Sequence, residues 1–355
     1  MKSYIVQKGD TISKIALKHG IRPIELVIAN HHIKNELDYV QPKEEIMIPR
    51  EGSFSGKYSS RYTCVAEYGP TDLEKDAFRL KKKYPSLINV REIGTSVMGQ
   101  PLYVFEIGTG KKEIFYSGGW HANEWLTTKF LITFLEEVVE SATENEQLHG
   151  YNVSKILSDI TLYIVPLVNP DGVELVQQGI YKDHPFYETV NKINKGALRF
   201  EHWSSNIRGV DLNHQWPAGW QKEADESPKK PWSRHYSGKG PLTEPESQAV
   251  HQLTLSKNFA HVIAFHSQGQ MIFWGYRHLE PKESEEMVTR LSLASSYAPI
   301  HTADSDGGYK DWFIQEMRRP GFTVEVGVGT NPLPFTSFSE IWSNNVLLAL
   351  EGLTI

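Results

Sequence analysis

Apolar positions along the chain fall into two regimes, separated by one stretch that has neither. Within residues 1–50 a short strand pattern at 4–7 meets a turn at Lys8, Gly9 and Asp10. Asp10 or Thr11 can cap a helix carrying Ile12, Ile15 and Ala16, and after Gly20 a second helix opens at Pro23 with Leu26, Val27 and Ala29. A second strand, 45–48, follows a turn at 42–44, so the unit reads β-α-α-β. Residues 51–61, EGSFSGKYSSR, are rich in Ser and Gly and carry no period, which predicts a flexible linker.

From residue 62 to 355 there is no second break and no internal repeat, and the remainder reads as one domain. Helical periodicity marks 73–83, 125–140, 245–255, 283–297 and 338–350, while strand-like runs lie at 102–107, 113–117, 162–168, 261–265 and 322–326. Short apolar strands between helices predict an α/β architecture, a sheet covered on both faces. In such sheets ligands gather at the carboxyl ends of strands.

Bulk properties narrow the choice of partners. A chain of 355 residues with a formal net charge of -6 offers no basic footprint for nucleic acid and no polybasic membrane patch. No stretch is apolar enough to span a bilayer, and the N-terminus lacks a signal-peptide core and cleavage site, which predicts synthesis in the cytoplasm. Oligomeric state leaves no mark on the sequence. Cys64 is the only cysteine, so a metal site would draw on His, Asp and Glu.

Candidate chemistry centres on GGWHANEW, 118–125, which follows the run at 113–117. His121 and Glu124 are three apart, and in a helical turn they share one face. His266, immediately after the apolar run 262–265, and Glu325, at the end of another, occupy further strand ends. Two histidines, one carboxylate and an open position form the ligand set of a single catalytic zinc ion, which makes water available as a nucleophile at neutral pH. Glu325 is then the candidate base that takes the water's proton and passes it to a leaving amine. The remaining histidines have no comparable context, and no HExxH is present.

Two resemblances organise these pieces. The N-terminal unit, with YIVQKGDTISKIA, ELVIAN, Asn35 and the IMIP end, closely resembles the LysM module, which implies binding to N-acetylglucosamine-containing glycans such as peptidoglycan. HANE, VNPDG at 169–172 with its preceding valine, GVDLN at 209–213, His266 and Glu325 occur in the order and approximate spacing of the zinc carboxypeptidase family, peptidase family M14. That resemblance implies a mixed central sheet with helices on both faces, His121, Glu124 and His266 as zinc ligands, and Glu325 as general base. It further implies that Asp211 orients a ligand imidazole through its other ring nitrogen.

The chain departs from an exopeptidase of that family at three points. An arginine normally follows the motif's asparagine, and the pair grips the substrate's free terminal carboxylate; here Asn213 is followed by His214. In DSDGGYKDW, 304–312, the family's tyrosine position holds Ala303, leaving Tyr309 as a stand-in, and Lys310 falls at the specificity position. The oxyanion arginine is replaced by Ser204, with Arg208, or else Arg199, left to serve. A metallopeptidase without the terminal clamp, joined to a LysM unit, resembles the γ-D-glutamyl-L-diamino acid endopeptidase branch. This implies cleavage of the γ-D-glutamyl-diaminopimelate bond of peptidoglycan stem peptides, with Asn213, His214 and Lys310 addressing the diamino acid. The alternatives are a metallocarboxypeptidase trimming peptide ends and a non-catalytic wall-binding protein.

Overall fold

The computed structural model describes residues 2–7, 10–19, 21, 23–30, 32–33, 38–49, 66–302 and 305–355. Lys8, Gly9, Gly20, Asn35, the linker expected at 51–61, Ala303 and Asp304 lie outside the described residues. The chain divides into two compact units, Met1–Cys64 and Val65–Ile355.

In the first unit, β1 (Lys2–Ile5) pairs antiparallel with β2 (Glu45–Ile48), and α1 (Ile12–Lys18) and α2 (Pro23–Ala29) complete a β-α-α-β fold. Ile12, Ile15, Ala16, Leu26 and Ile46 are wholly buried, as their periodicity predicts. Asn30 welds a helix to a strand: its Nδ2 donates to the carbonyls of Leu26 (2.7 Å) and Met47 (2.9 Å), and its Oδ1 accepts from the Met47 N–H (2.7 Å). The first strand begins two residues before the predicted run. Val6 nevertheless stays paired, donating to Glu44 O at 2.9 Å and accepting from Lys43 N at 2.8 Å.

The second unit is built on an eight-stranded mixed sheet in the order β11-β10-β12-β9-β5-β8-β4-β3. After α3 (Pro70–Lys83), β3 (Ile88–Thr95) and β4 (Pro101–Gly108) form an antiparallel edge. Then β5 (Lys112–Ser117) leads into α4 (Leu126–Glu144). A small hairpin, β6 (Gln147–Leu148) and β7 (Tyr151–Asn152), precedes α5 (Val153–Asp159) and β8 (Ile160–Val165). The long excursion that follows carries α6 (Pro170–Gln178), α7 (Tyr187–Ile193), α8 (Trp220–Glu226) and α9 (Pro245–Leu255). The chain returns through β9 (Phe259–His266), β10 (Met271–Phe273), α10 (Glu283–Ser295) and β11 (Ala298–Ile300). It closes with α11 (Tyr309–Met317), β12 (Gly321–Glu325) and α12 (Phe338–Gly352). Among the described residues, no helix is long and apolar enough to cross a membrane.

The four central strands β12, β9, β5 and β8 run parallel, and alternate side chains enter opposite cores. Phe115 stacks on Phe259 and meets Tyr309 on one face, whereas its neighbour Tyr116 meets Phe134 and Phe265 on the other and donates to Ala349 O at 2.8 Å. Burial of both faces fixes the sheet rigidly, since each wholly buried aromatic contributes roughly 1.5–3 kcal/mol. Parallel strands all end on the same side. His266 and Glu325 are the last residues of β9 and β12, and they are direct register partners.

Candidate metal centre

The chain leaves β5 through Gly118 and Gly119, whose backbone must pass close to α4. Gly119 has φ +59°, and a Cβ there would lie 2.6 Å from Thr128 Oγ1 and 3.1 Å from Leu167 Cα, so only glycine fits. The HANE segment is a hydrogen-bonded turn, not the first turn of a helix: Glu124 N donates to His121 O at 3.1 Å, and α4 starts at Leu126. That turn still brings the two side chains together, with His121 Nδ1 2.9 Å from Glu124 Oε1.

His266 arrives from β9 and completes a triangle. Its Nδ1 lies 3.1 Å from Glu124 Oε2 and 3.4 Å from His121 Nδ1. A tetrahedral zinc ion with bonds of about 2.0–2.1 Å sets its donors roughly 3.3 Å apart, so the three side chains fit a small tetrahedral cation with one position open. Their protonation points the same way. Burial opposes charge on His121, but Glu124 and Asp211 outweigh it and hold its pKa well above the ordinary imidazole value. Burial keeps His266 neutral by lowering its pKa despite Glu124. Burial would likewise raise Glu124, yet His121 and His266 bring it down to about 2. A buried carboxylate held ionised beside two imidazoles is a donor set that a divalent ion binds in place of protons.

The surroundings orient the triangle. Asp211 lies at the start of a 3-10 turn, Leu212–His214, and its Oδ1 sits 3.1 Å from His121 Nε2 while Oδ2 accepts from His235 N at 3.1 Å. Although burial disfavours its charge, His121 and His214 hold this carboxyl well below the usual range. Trp120 stacks behind His266, with ring centroids 6.4 Å apart and planes 16° from parallel. Glu325 stands one strand from His266, and its side chain makes no hydrogen bond to another described residue. Burial, and then the neighbouring Glu124 charge, raise its pKa to about 8.

Other residues singled out in the sequence are placed less uniformly. Asn213 accepts from Tyr309 N through Oδ1 at 3.2 Å, and His214 Nδ1 lies 3.0 Å from the Glu223 carboxylate. Tyr309 does not face the centre as the sequence suggests; it is wholly buried, shares a hydrogen bond with Thr254 Oγ1 at 3.0 Å and stacks on Trp120. Lys310 is no loop cation either, because its Nζ is buried against Gly275 O (2.8 Å) and Asp311 Oδ1 (2.5 Å). The half-exposed Arg208 guanidinium reaches Glu244 at 3.4 Å. Arg199 pairs on the surface with Glu201, and Ser204 is tied to the HANE turn, its carbonyl accepting from Ala122 N at 3.0 Å.

Two residues escaped the sequence reading. Asn331, in the loop after β12, donates through Nδ2 to Ser267 O (2.7 Å) and Glu124 Oε1 (3.4 Å), and accepts from Ser267 Oγ (2.8 Å). Glu223, on α8, lies 3.0 Å from His214 Nδ1 and accepts from Asp306 N at 2.9 Å. Neither sits in a pattern that spacing alone would flag.

A strand-end triad of two imidazoles and a carboxylate, on a mixed sheet with helices on both faces, defines a metallopeptidase-type centre. The profile of the Peptidase_M14 zinc carboxypeptidase family matches residues 74–347, and that of the LysM domain matches residues 4–49. The chain belongs to the zinc carboxypeptidase family, Peptidase M14, and carries a LysM domain. It is 44% identical over 286 residues to gamma-D-glutamyl-L-diamino acid endopeptidase 1 of Lysinibacillus sphaericus, covering 81% of this chain and 72% of that one. Similarity extends to the uncharacterized protein YqgT of Bacillus subtilis, 35% identical over 335 residues (93% of this chain, 88% of the relative). The fold matches bovine thrombin-activatable fibrinolysis inhibitor, in complex with tick carboxypeptidase inhibitor, at a TM-score of 0.65 and 20% identity, over 83% of this chain and 98% of that one.

Proposed function

We propose that this metallopeptidase hydrolyses the γ-D-glutamyl-diaminopimelate bond of peptidoglycan stem peptides, with one zinc ion held by His121, Glu124 and His266 and with the LysM unit gripping wall glycan. The observation that carries the reading is the environment of His214. An exopeptidase of this family places an arginine there for a free terminal carboxylate, whereas here a histidine is held at 3.0 Å by the chain's own buried Glu223. Burial opposes charge on that imidazole, but Asp211 and Glu223 raise its pKa, so any positive charge it takes is matched within the chain. A second carboxylate from a substrate terminus would meet Glu223 as a like charge. The relationship to a protein named for γ-D-glutamyl-L-diamino acid endopeptidase activity supports the same choice.

Zinc in this ligand set supplies Lewis-acid activation of water and of the scissile carbonyl. Glu325 takes the proton of the attacking water and delivers it to the leaving amine of the diamino acid. Asp211 fixes the His121 ring so that Nδ1 faces Glu124 and His266, with which it would hold the ion. Arg208, the nearest in sequence of the arginines left for the task and paired here with Glu244, is the residue assigned to the oxyanion.

Mass spectrometry of products from defined tri-, tetra- and pentapeptide muropeptides tests the reading. Substrates with free and with blocked C-termini should be cut at the same γ-bond. Strict dependence on a free carboxylate would instead make the chain a carboxypeptidase.

A further inference from the structure

A second group of metal-type donors stands apart from the centre described above and shares no residue with it. His278 and Glu280 lie in the turn after β10, and His301 follows the last residue of β11; one ligand atom from each falls within 4.8 Å of the others. His301 Nε2 and Glu280 Oε1 are already 2.7 Å apart, and the His278 and His301 ring centroids are 5.3 Å apart.

This arrangement is built rather than incidental to a mobile surface. The Glu280 side chain is 8% exposed, and its second oxygen accepts from Tyr276 N at 2.9 Å, which leaves Oε1 aimed at His301. His301 is fixed by its backbone, whose carbonyl accepts from Gly275 N at 2.6 Å, and its ring meets Trp274 edge-on at 4.6 Å. A Cβ on Gly275 would lie 2.7 Å from His301 Nε2, so a glycine is required for the ring to sit where it does. Arg277 and His278 both adopt left-handed backbone, with φ of 50° and 57°, a conformation that costs side-chain-bearing residues energy. Arg277 is anchored by Asp306 at 2.7 Å, and the reversal it makes turns His278 back towards His301.

We propose that His278, Glu280 and His301 form a second binding site for a divalent transition-metal ion of the zinc, cobalt or nickel class. Two imidazoles and one carboxylate suit such ions, with water completing the coordination. The ion takes the place of the direct His301–Glu280 contact and ties the turn after β10 to the end of β11. Asp306, which grips Arg277 and donates its N–H to Glu223, connects this turn to the wall beside His214. Occupancy therefore stiffens one side of the candidate active site without entering it.

The test is metal counting on the full chain, stripped and re-equilibrated in zinc buffers of defined free concentration. Unsubstituted protein should bind two equivalents, and His278→Ala, which alters an exposed side chain, should bind one. His121→Ala should also bind one, and the double variant none. One equivalent in the unsubstituted protein with the same value in His278→Ala would overturn the proposal. Failure of the muropeptide assay would leave this count unaffected, so the two readings fail separately.

Discussion

The Asn331 side-chain amide reaches across to the Glu124 carboxylate at 3.4 Å, joining the loop that follows β12 to the metal-type triad. The same nitrogen holds Ser267 O, one residue beyond His266. Asn331→Ala should therefore weaken metal retention by about tenfold or more, the size typical of lost outer contacts to a ligand. Competition with a chelator of known affinity measures it, and an unaltered dissociation constant refutes the positioning role.

Glu325→Gln keeps the shape of the side chain and removes its basicity. The variant should bind metal as the parent does and lose about 10²–10⁴ in kcat. Full turnover by a metal-loaded variant would remove Glu325 from the mechanism.

Tyr309 tests the distinction between the core and the cleft. Its hydroxyl bonds Thr254 inside the fold, so Tyr309→Phe should leave kcat/KM unchanged and cost about 0.5–1.5 kcal/mol of stability. A large fall in kcat with intact stability would show that the hydroxyl reaches substrate.

Glu246 gives a pH signature remote from the chemistry. It is wholly buried, accepts from Val97 N at 3.1 Å, and burial pushes its pKa up to about 8. Between the unfolded value of about 4.5 and 8, the folded chain holds a proton that the unfolded chain has released. The group's contribution is complete below the lower value and declines as pH rises through the upper one. Glu246→Gln should lack that decline, so its Tm relative to the parent should rise from pH 5 to pH 9. Parallel Tm profiles would contradict the assignment.

In the LysM unit, Asn30→Ala removes one hydrogen bond to α2 and two to β2 and leaves the partly buried Met47 N–H without its acceptor. Pelleting with purified peptidoglycan should fall sharply, while cleavage of soluble muropeptides persists. Unchanged pelleting would assign wall binding elsewhere.

The long parallel strands were legible because both their faces are buried, and the ends of β9 and β12 are where His266 and Glu325 stand out in apolar runs. The three-residue strands β10 and β11, and the short helices α6, α7 and α8, carry too few periods to register. His121 and Glu124 were readable as a pair, although a turn and not a helix brings them together. Tyr309 and Lys310 misled because a loop motif says nothing of depth: the helix that begins at Tyr309 drives both side chains into the interior. Asn331 and Glu223 act through contacts made only after distant segments meet.

The direct pairing of Glu325 with His266 has a consequence for how such an enzyme diversifies. Neighbouring strands lie about 4.8 Å apart whatever the loops beyond them do. The separation between His266 and Glu325 is thus inherited from backbone ladder geometry, which insertions, deletions and exchanged loop residues leave untouched. Loops can drift across a lineage while the interval between those two side chains stays constant.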